Sequence, residues 1–592
     1  MKTVLNSLLY IVLFQVVWGI GACQKPETAP LTVATIFSDH MVLQGKKDVK
    51  IWGTATPEAE VTVKFRDQSV TAVADTSGHW LASLQPLAYG GPDSLVVATS
   101  KFRKSFTDVL VGEVWICSGQ SNMEMPMQSD WAKLNNADAE IQAANFPEIR
   151  LFMVGHNTTV RPVDTLSTSG WAVCTPESVK FFSASAFFFG RNLYQSLKIP
   201  IGLVETAWGG TVAEAWTSKD GLAALPEFDG LTQKISQMPS NKDTLALLEQ
   251  RDKEQQAREI AAAEKGLIGD SAIYAQANYP TQDWTPIDLP RLWEETSLGN
   301  FDGSCWFRKE VSLTANQITD SITFSYGGTD DADELWCNGQ KIGQNDKWNV
   351  LRVYRIAPSV LHLGKNIFTI RVMDFQGGGG FMGEAKDYAL TLAGGKQVPM
   401  AKGWLAKQGF DFKSVPTKPF SPTNPNQPTV LFNGMINPLI PFAFRGVIWY
   451  QGESNSGMAF QYRKLFKALI TDWRTQWRQG DFPFLFVQLA NYLKVKPEPA
   501  EDTWAELREA QFMALELPNT GMAVSVDIGD ARDIHPGNKQ EVGRRLSLAA
   551  LAKVYEQKIP FSGPLYKSIE LRGSEIAISF SNPEVGLVTK GD

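Results

Sequence analysis

Val109-Leu-Val-Gly-Glu-Val-Trp-Ile-Cys-Ser-Gly-Gln-Ser-Asn-Met123 runs as a buried strand and then breaks abruptly into small and polar residues. Val109 to Cys117 reads as a central strand of an α/β sheet. Ser118 and Gly119 give a sharp turn, and Ser121 falls where the strand hands over to a helix. Open α/β sheets place their chemistry at the carboxyl ends of strands. A helix beginning there also aims unpaired backbone N–H groups at any developing anion. Ser121 is therefore a candidate nucleophile, and the rest of the chain is asked for its partners.

Outward from this strand the pattern is αβ alternation: a helix over Phe182 to Leu197, a strand over Ile201 to Thr206, a long amphipathic helix over Phe460 to Trp477 and a strand over Phe484 to Leu489. A helix over Leu507 to Leu517, a strand over Ala523 to Asp527 and a helix over Lys539 to Tyr555 complete it. Such alternation predicts a three-layer α/β domain with a mostly parallel sheet covered on both faces. Two β-rich stretches interrupt or precede it. Residues 31–107 alternate short apolar runs with turn signals and predict an N-terminal β-sandwich. After a charged surface helix over Asp243 to Lys265, residues 268–400 return to β patterning and predict an inserted β-domain. Its Trp306-Phe307-Arg308 and Asp331 to Gly339 segments resemble the galactose-binding-like jelly-roll domains attached to many glycosidases. A spacer without sugar affinity is the alternative. The hydrolase domain is then split into 108–267 and 401–558, and 559–592 forms a C-terminal β segment, read as truncated.

A chain of 592 residues exceeds one core and divides into domains. With 43% hydrophobic residues, 18 Trp and 33 Phe it is globular rather than disordered. A net charge of -7 without a basic stripe argues against a nucleic-acid partner. Residues 1–22 read as a signal peptide: Lys2 supplies the positive end and Leu8 to Ile20 the apolar run. Ile20-Gly21-Ala22-Cys23 resembles a lipoprotein cleavage box, which makes Cys23 the lipidation candidate after a short linker, 23–30. Ordinary signal-peptidase cleavage is the alternative. The expected location is export, to the periplasm or as an outer-membrane lipoprotein of a Gram-negative-type cell. The five cysteines show no metal spacing, and a Cys305–Cys337 bridge is the one pairing considered. The acidic run Asp330 to Glu334 reads as a polar turn, with a calcium site the alternative.

A serine nucleophile needs a base and donors for the oxyanion. Only five histidines exist, so elimination is informative. His40 and His79 lie in the N-terminal β-domain and His362 in the insert, while His156 has no acidic neighbour in sequence. His535 lies in a loop after a strand, with Asp533 and Asp530 near enough to orient an imidazole. Two further strand ends carry Trp208-Gly209-Gly210-Thr211, where a backbone N–H approaches a substrate closely, and Gln451, whose amide is a natural third oxyanion donor.

Together Gly119-Gln-Ser-Asn-Met, Trp208-Gly-Gly-Thr, Trp449-Tyr-Gln-Gly-Glu-Ser-Asn and Asp533-Ile-His-Pro resemble the four blocks of the SGNH hydrolases. More narrowly they resemble the sialate O-acetylesterase and related carbohydrate acetylesterase branch. The N-terminal Ile36-Phe-Ser-Asp-His-Met-Val-Leu-Gln44 also matches bacterial members. The resemblance implies a flavodoxin-like hydrolase fold and a serine esterase that works through an acetyl-Ser121 intermediate. It implies Ser121 as nucleophile and His535 as base, with the Ser121 N–H, a Gly209 or Gly210 N–H and Gln451 as oxyanion donors. No metal or organic cofactor is implied. The acid stays open: many members place it three residues before the histidine, where this chain has Arg532. Asp533 is the local substitute, Asp530 the runner-up, and a Ser–His dyad the third reading. Gly269-Asp270-Ser271 spells the superfamily signature but follows a charged helix, and is read as a decoy. The expected partner is an acetylated carbohydrate, a sialoglycan or else a plant polysaccharide such as xylan. A non-catalytic glycan-binding lipoprotein is the remote alternative. A sialate carboxylate calls for a cation, and Arg532 and Arg445 are the candidates.

Overall fold

The computed structural model describes residues 30–581 apart from 349, 376, 418–420, 494, 496 and 499. The expected leader, Cys23 and the end of the C-terminal segment lie outside the described residues. The chain forms two compact units, Met1–Gln237 with Pro425–Asp592, and Met238–Asn424.

The first unit is built on a parallel sheet. Its strands run in the order Thr520–Ala523, Phe484–Val487, Gly446–Tyr450, Arg103–Gly119, Ile201–Ala207 and Phe146–Met153, with Trp171–Cys174 added antiparallel at one edge. The central strand is apolar on both sides because both faces are covered. Val114 and Ile116 enter one core with Trp449, Phe466 and Trp473. Trp115 and Cys117 enter the other with Phe188, Phe189 and Leu546. Each such side chain, fully enclosed, contributes roughly 1.5–3 kcal/mol relative to exposure. Helices Ala459–Trp477 and Thr503–Met513 cover the first face, and Ala184–Leu197 and Lys539–Lys553 the second. The last two cross closely at Gly543, where a Cβ would stand 2.5 Å from that of Phe188.

The predicted elements are found, with ends moved by a few residues. One such shift is at Ala523 to Asp527, where the strand is Thr520–Ala523 and Val524 onward is already loop. There the Val524 carbonyl accepts from Arg545, and the Ser525 hydroxyl donates to the Gln488 carbonyl. No break falls at residues 107 and 108. Strand Arg103–Gly119 continues through them, with an irregularity at Asp108 (φ +54°) where the register shifts, pairing antiparallel with Gly90–Ala98 in its first half and parallel with Val42–Gln44 at Leu110–Gly112. The N-terminal β-structure and the parallel sheet therefore share a strand.

The second unit holds a six-stranded antiparallel sheet centred on Gly303–Leu313 and Gly364–Asp374, and a four-stranded sheet centred on Ile322–Tyr326. Phe307, Phe324, Leu335, Phe368 and Trp404 fill its core. The acidic run is largely spent on internal partners. Asp333 and Arg352, both with fully buried side chains, pair at 2.5 Å, and Tyr326 donates its hydroxyl to Asp333 at 2.6 Å. Glu334 takes Lys341 at 2.5 Å and Arg371 at 2.8 Å. Cys305 and Cys337 are unbridged: they flank strand Gly364–Asp374 on opposite sides, facing Val372 and Phe368 respectively, so a strand lies between them. Gly269 and Asp270 form the exposed turn of a small hairpin, Leu267–Ile268 with Ser271–Ala272, away from any buried strand end.

Candidate active site

Three carboxyl ends of the parallel sheet meet at Gly119. Its N–Cα torsion is φ +144°, and a Cβ there would stand 2.1 Å from the Tyr450 carbonyl oxygen, so only glycine fits. The Gln120 N–H donates to that carbonyl at 3.0 Å, and the Trp208 N–H donates to the Gly119 carbonyl at 3.1 Å. Ser121 then opens the short helix Ser121–Glu124. Ser183 and Ser185, at the start of the next helix, hold it by donating to the carbonyls of Met123 at 2.5 Å and Asn122 at 2.9 Å.

The loop after Thr520–Ala523 returns His535 to this point. His535 Nε2 lies 3.0 Å from Ser121 Oγ, and Nδ1 lies 3.2 Å from Asp533 Oδ1. The same Asp533 oxygen accepts the His535 backbone N–H at 2.8 Å, so one carboxylate sets both the ring and its main chain. The Trp131 ring meets the imidazole edge-on at 4.9 Å. Burial, then the nearby Lys539 ammonium, push the imidazole below its ordinary pKa, while Asp533 acts the other way. Asp530 faces the loop's own backbone instead, accepting the Arg532 N–H at 2.9 Å.

Five other expected residues fall as follows. The Gly209 N–H is taken by Glu124 Oε2 at 2.5 Å. Gly210, at φ +69° and exposed, leaves its N–H without an acceptor among the described residues, as does Ser121. Gln451 spends its amide on internal acceptors rather than on an oxyanion. It is fully buried, donates Nε2 to the Thr211 carbonyl at 3.1 Å and Asn455 Oδ1 at 2.7 Å, and accepts the Tyr462 hydroxyl at 2.9 Å. The strand end turns this side chain inward, where it braces loops. Arg445 is also displaced: it precedes its strand and so sits at the opposite end of the sheet from Ser121, its N–H bonded to the Val114 carbonyl at 2.7 Å. Its guanidinium is committed to the enclosed Glu113, at 2.8 Å through Nη2 and again through Nε. Arg532 has a side chain 92% exposed and lies 3.7 Å from Asp530.

Residue spacing alone missed two groups beside the nucleophile. Glu124 lies one helical turn beyond Ser121 and therefore on the same face. Its Oε1 meets His156 Nε2 at 2.7 Å, and the His156 ring stacks on Trp208 at 4.0 Å. His156 has its acidic neighbour in space rather than in sequence.

This geometry gathers a serine, an imidazole and a carboxylate at a sheet's carboxyl end, an arrangement suited to ester cleavage. Residues 428–552 match the family described as "Carbohydrate esterase, sialic acid-specific acetylesterase". The chain is 27% identical over 578 residues to the sialate O-acetylesterase of Mus musculus, spanning 91% of this chain and 77% of that protein. It is 26% identical over 577 residues to that of Homo sapiens, spanning 91% and 74%. The crystal structure of a carbohydrate acetylesterase from Xanthomonas citri superposes with a TM-score of 0.57 at 25% identity, covering 93% of this chain and 81% of that one. The chain is a carboxylic ester hydrolase. More narrowly, it is a sialate O-acetylesterase-like protein.

Proposed function

We propose that the protein is an exported serine esterase that removes O-acetyl groups from a carbohydrate, with O-acetyl sialic acid the leading substrate. The observation that carries this reading is the hydrogen-bonded run Ser121–His535–Asp533. In the mechanism, Ser121 Oγ attacks the acetyl carbonyl carbon as His535 Nε2 takes its proton. The oxyanion that forms is held by the Ser121 N–H and by the second glycine N–H, for which uncommitted Gly210 is better placed than Gly209. The bond between the acetyl carbon and the sugar oxygen then breaks, and the departing sugar oxygen receives the proton from His535. Water, deprotonated by the same imidazole, cleaves acetyl-Ser121 and releases acetate.

The hydrolase sheet supports the SGNH reading. Without the edge pair, its five strands in chain order lie 2-1-3-4-5, the flavodoxin-like order, with Ser121 at the switch point beside the first and third strands. In the insert, two packed antiparallel sheets support the jelly-roll reading. The choice of sugar rests on the family likeness, since Arg445 faces away and Arg532 points to solvent. Export and lipidation at Cys23 rest on the leader sequence; among the described residues no helix is long and apolar enough to cross a membrane.

Two assays decide the matter. Ser121→Ala, folded by circular dichroism, should lose p-nitrophenyl acetate hydrolysis, and substantial residual turnover would remove Ser121 from its role. Acetate release from O-acetylated sialoglycan should exceed that from acetylated xylan; the reverse ranking makes the enzyme a plant-polysaccharide esterase.

A further inference from the structure

Lys539 is the first residue of helix Lys539–Lys553 and has no exposed surface. Both facts are unfavourable. A cation at a helix N-terminus opposes the helix dipole, and a buried ammonium normally demands a carboxylate in contact. Lys539 has none within ion-pair distance among the described residues. Its Nζ donates to the side-chain oxygen of Asn122 and lies 5.1 Å from the centre of the Tyr450 ring. Burial pushes the amine down to about 7, against the pull of Glu453 and Asp533.

Asn122, next to the nucleophile, is equally committed. Its Nδ2 donates to Glu453 Oε1 at 2.6 Å and to the Ile534 carbonyl at 3.0 Å, the carbonyl just before His535. Glu453 is enclosed, and its second oxygen has no hydrogen-bond partner among the described residues. One amide thus ties the nucleophile turn, the loop after strand Gly446–Tyr450 and the histidine loop together, with a cation on one side and a carboxyl group on the other. Groups around His535 are Ser121 and Trp131 from the nucleophile side, Asp533 from its own loop, and Lys539 from the helix that follows, with Glu453 behind Asn122.

We propose that Lys539 is a positioning residue of the esterase: through Asn122 it fixes the distance between Ser121 and His535, and its charge, uncompensated by direct contact, keeps the imidazole an unprotonated base. This rests on the Ser121–His535 reading above.

The test compares wild type with Lys539→Gln, which keeps a donor toward Asn122, and Lys539→Met, which removes it. Circular dichroism checks folding. The readouts are kcat/KM for p-nitrophenyl acetate across pH and the imidazole titration of His535 by NMR of histidine-labelled protein, assigned with His535→Asn. Without the cation the imidazole is easier to protonate, so activity is lost at a higher pH on the acid side. Both variants should lower the ratio of kcat/KM at pH 5.5 to that at pH 8 by roughly three- to tenfold, with the His535 resonance titrating at higher pH. Lys539→Met should also lose turnover at every pH, because Asn122 loses its anchor. A loss uniform with pH in both variants, and an unmoved His535 titration, would overturn the proposal. Should neither variant fold, the wild-type His535 curve serves: Lys539 discharging nearby should broaden it beyond a single-site titration, and a clean single-site curve would reject the idea. Failure of the esterase reading is separate: it would appear as no Ser121-dependent turnover in wild type, while the NMR titration still reports on the Lys539–His535 pair.

Discussion

Asp533 carries the heaviest demand at the scale of single residues. Its side chain is 45% exposed, yet one oxygen faces both the ring and the backbone N–H of His535. Asp533→Asn should lower kcat/KM for p-nitrophenyl acetate by roughly 10²- to 10⁴-fold, since the imidazole loses the group that fixes its tautomer and stabilises its cation. Asp530→Asn should change it little, as that carboxylate serves the loop backbone. Equal effects from the two changes would reject Asp533. The acid limb of the pH–rate profile follows in sign from the His535 environment. Burial and Lys539 disfavour the imidazolium, so the base stays neutral, and activity persists, to a lower pH than a free imidazole would allow. A limb above pH 6.5 in kcat/KM would contradict this. Ser121, His535 and Asp533 were legible because each stands at a strand end or beside its partner in sequence. Gln451 misled because position after a strand says nothing of which way a side chain turns, and here Tyr462 and Asn455 draw it inward. Glu124–His156 was hidden because residues 32 apart in sequence meet only through the fold.

Elements place these residues through close backbone contact, and two glycines show where. At Gly119 the central strand touches its neighbour's end, so Gly119→Ala meets both a positive φ and the Tyr450 carbonyl. The variant should lose soluble fold or esterase activity outright, as read by circular dichroism and turnover. Gly543 sets how near helix Lys539–Lys553 lies to Ala184–Leu197, with Phe188 and Phe189 against it. Gly543→Val should destabilise the protein by about 1–3 kcal/mol, the usual cost of overpacking, and a midpoint in urea equal to wild type would show that the helices have slack. Periodicity exposed these helices well, since amphipathic and buried faces repeat along them. Strand ends were less legible: Val524 to Asp527 continue the apolar pattern, but side chains of Arg545 and Ser525 bind that segment as loop.

For the molecule as a whole, two compact units each carry their own core. The smaller one encloses the Asp333–Arg352 pair completely. Asp333→Ala strands a buried guanidinium and should cost about 3–5 kcal/mol. Calorimetry should then show an earlier transition for that unit, while the temperature at which esterase activity is lost stays unchanged. A single transition shifted as one would show that the two cores melt together.

The strand Arg103–Gly119 has a bearing on heredity. Because one continuous ribbon begins among the N-terminal strands and ends two residues before Ser121, the leading β-structure is no cassette that recombination could exchange. A crossover between codons 107 and 108, where composition changes, would join halves of a strand from different ancestors, and only partners matched in register on both sides would survive. The two parts are thus expected to have descended as one inherited block.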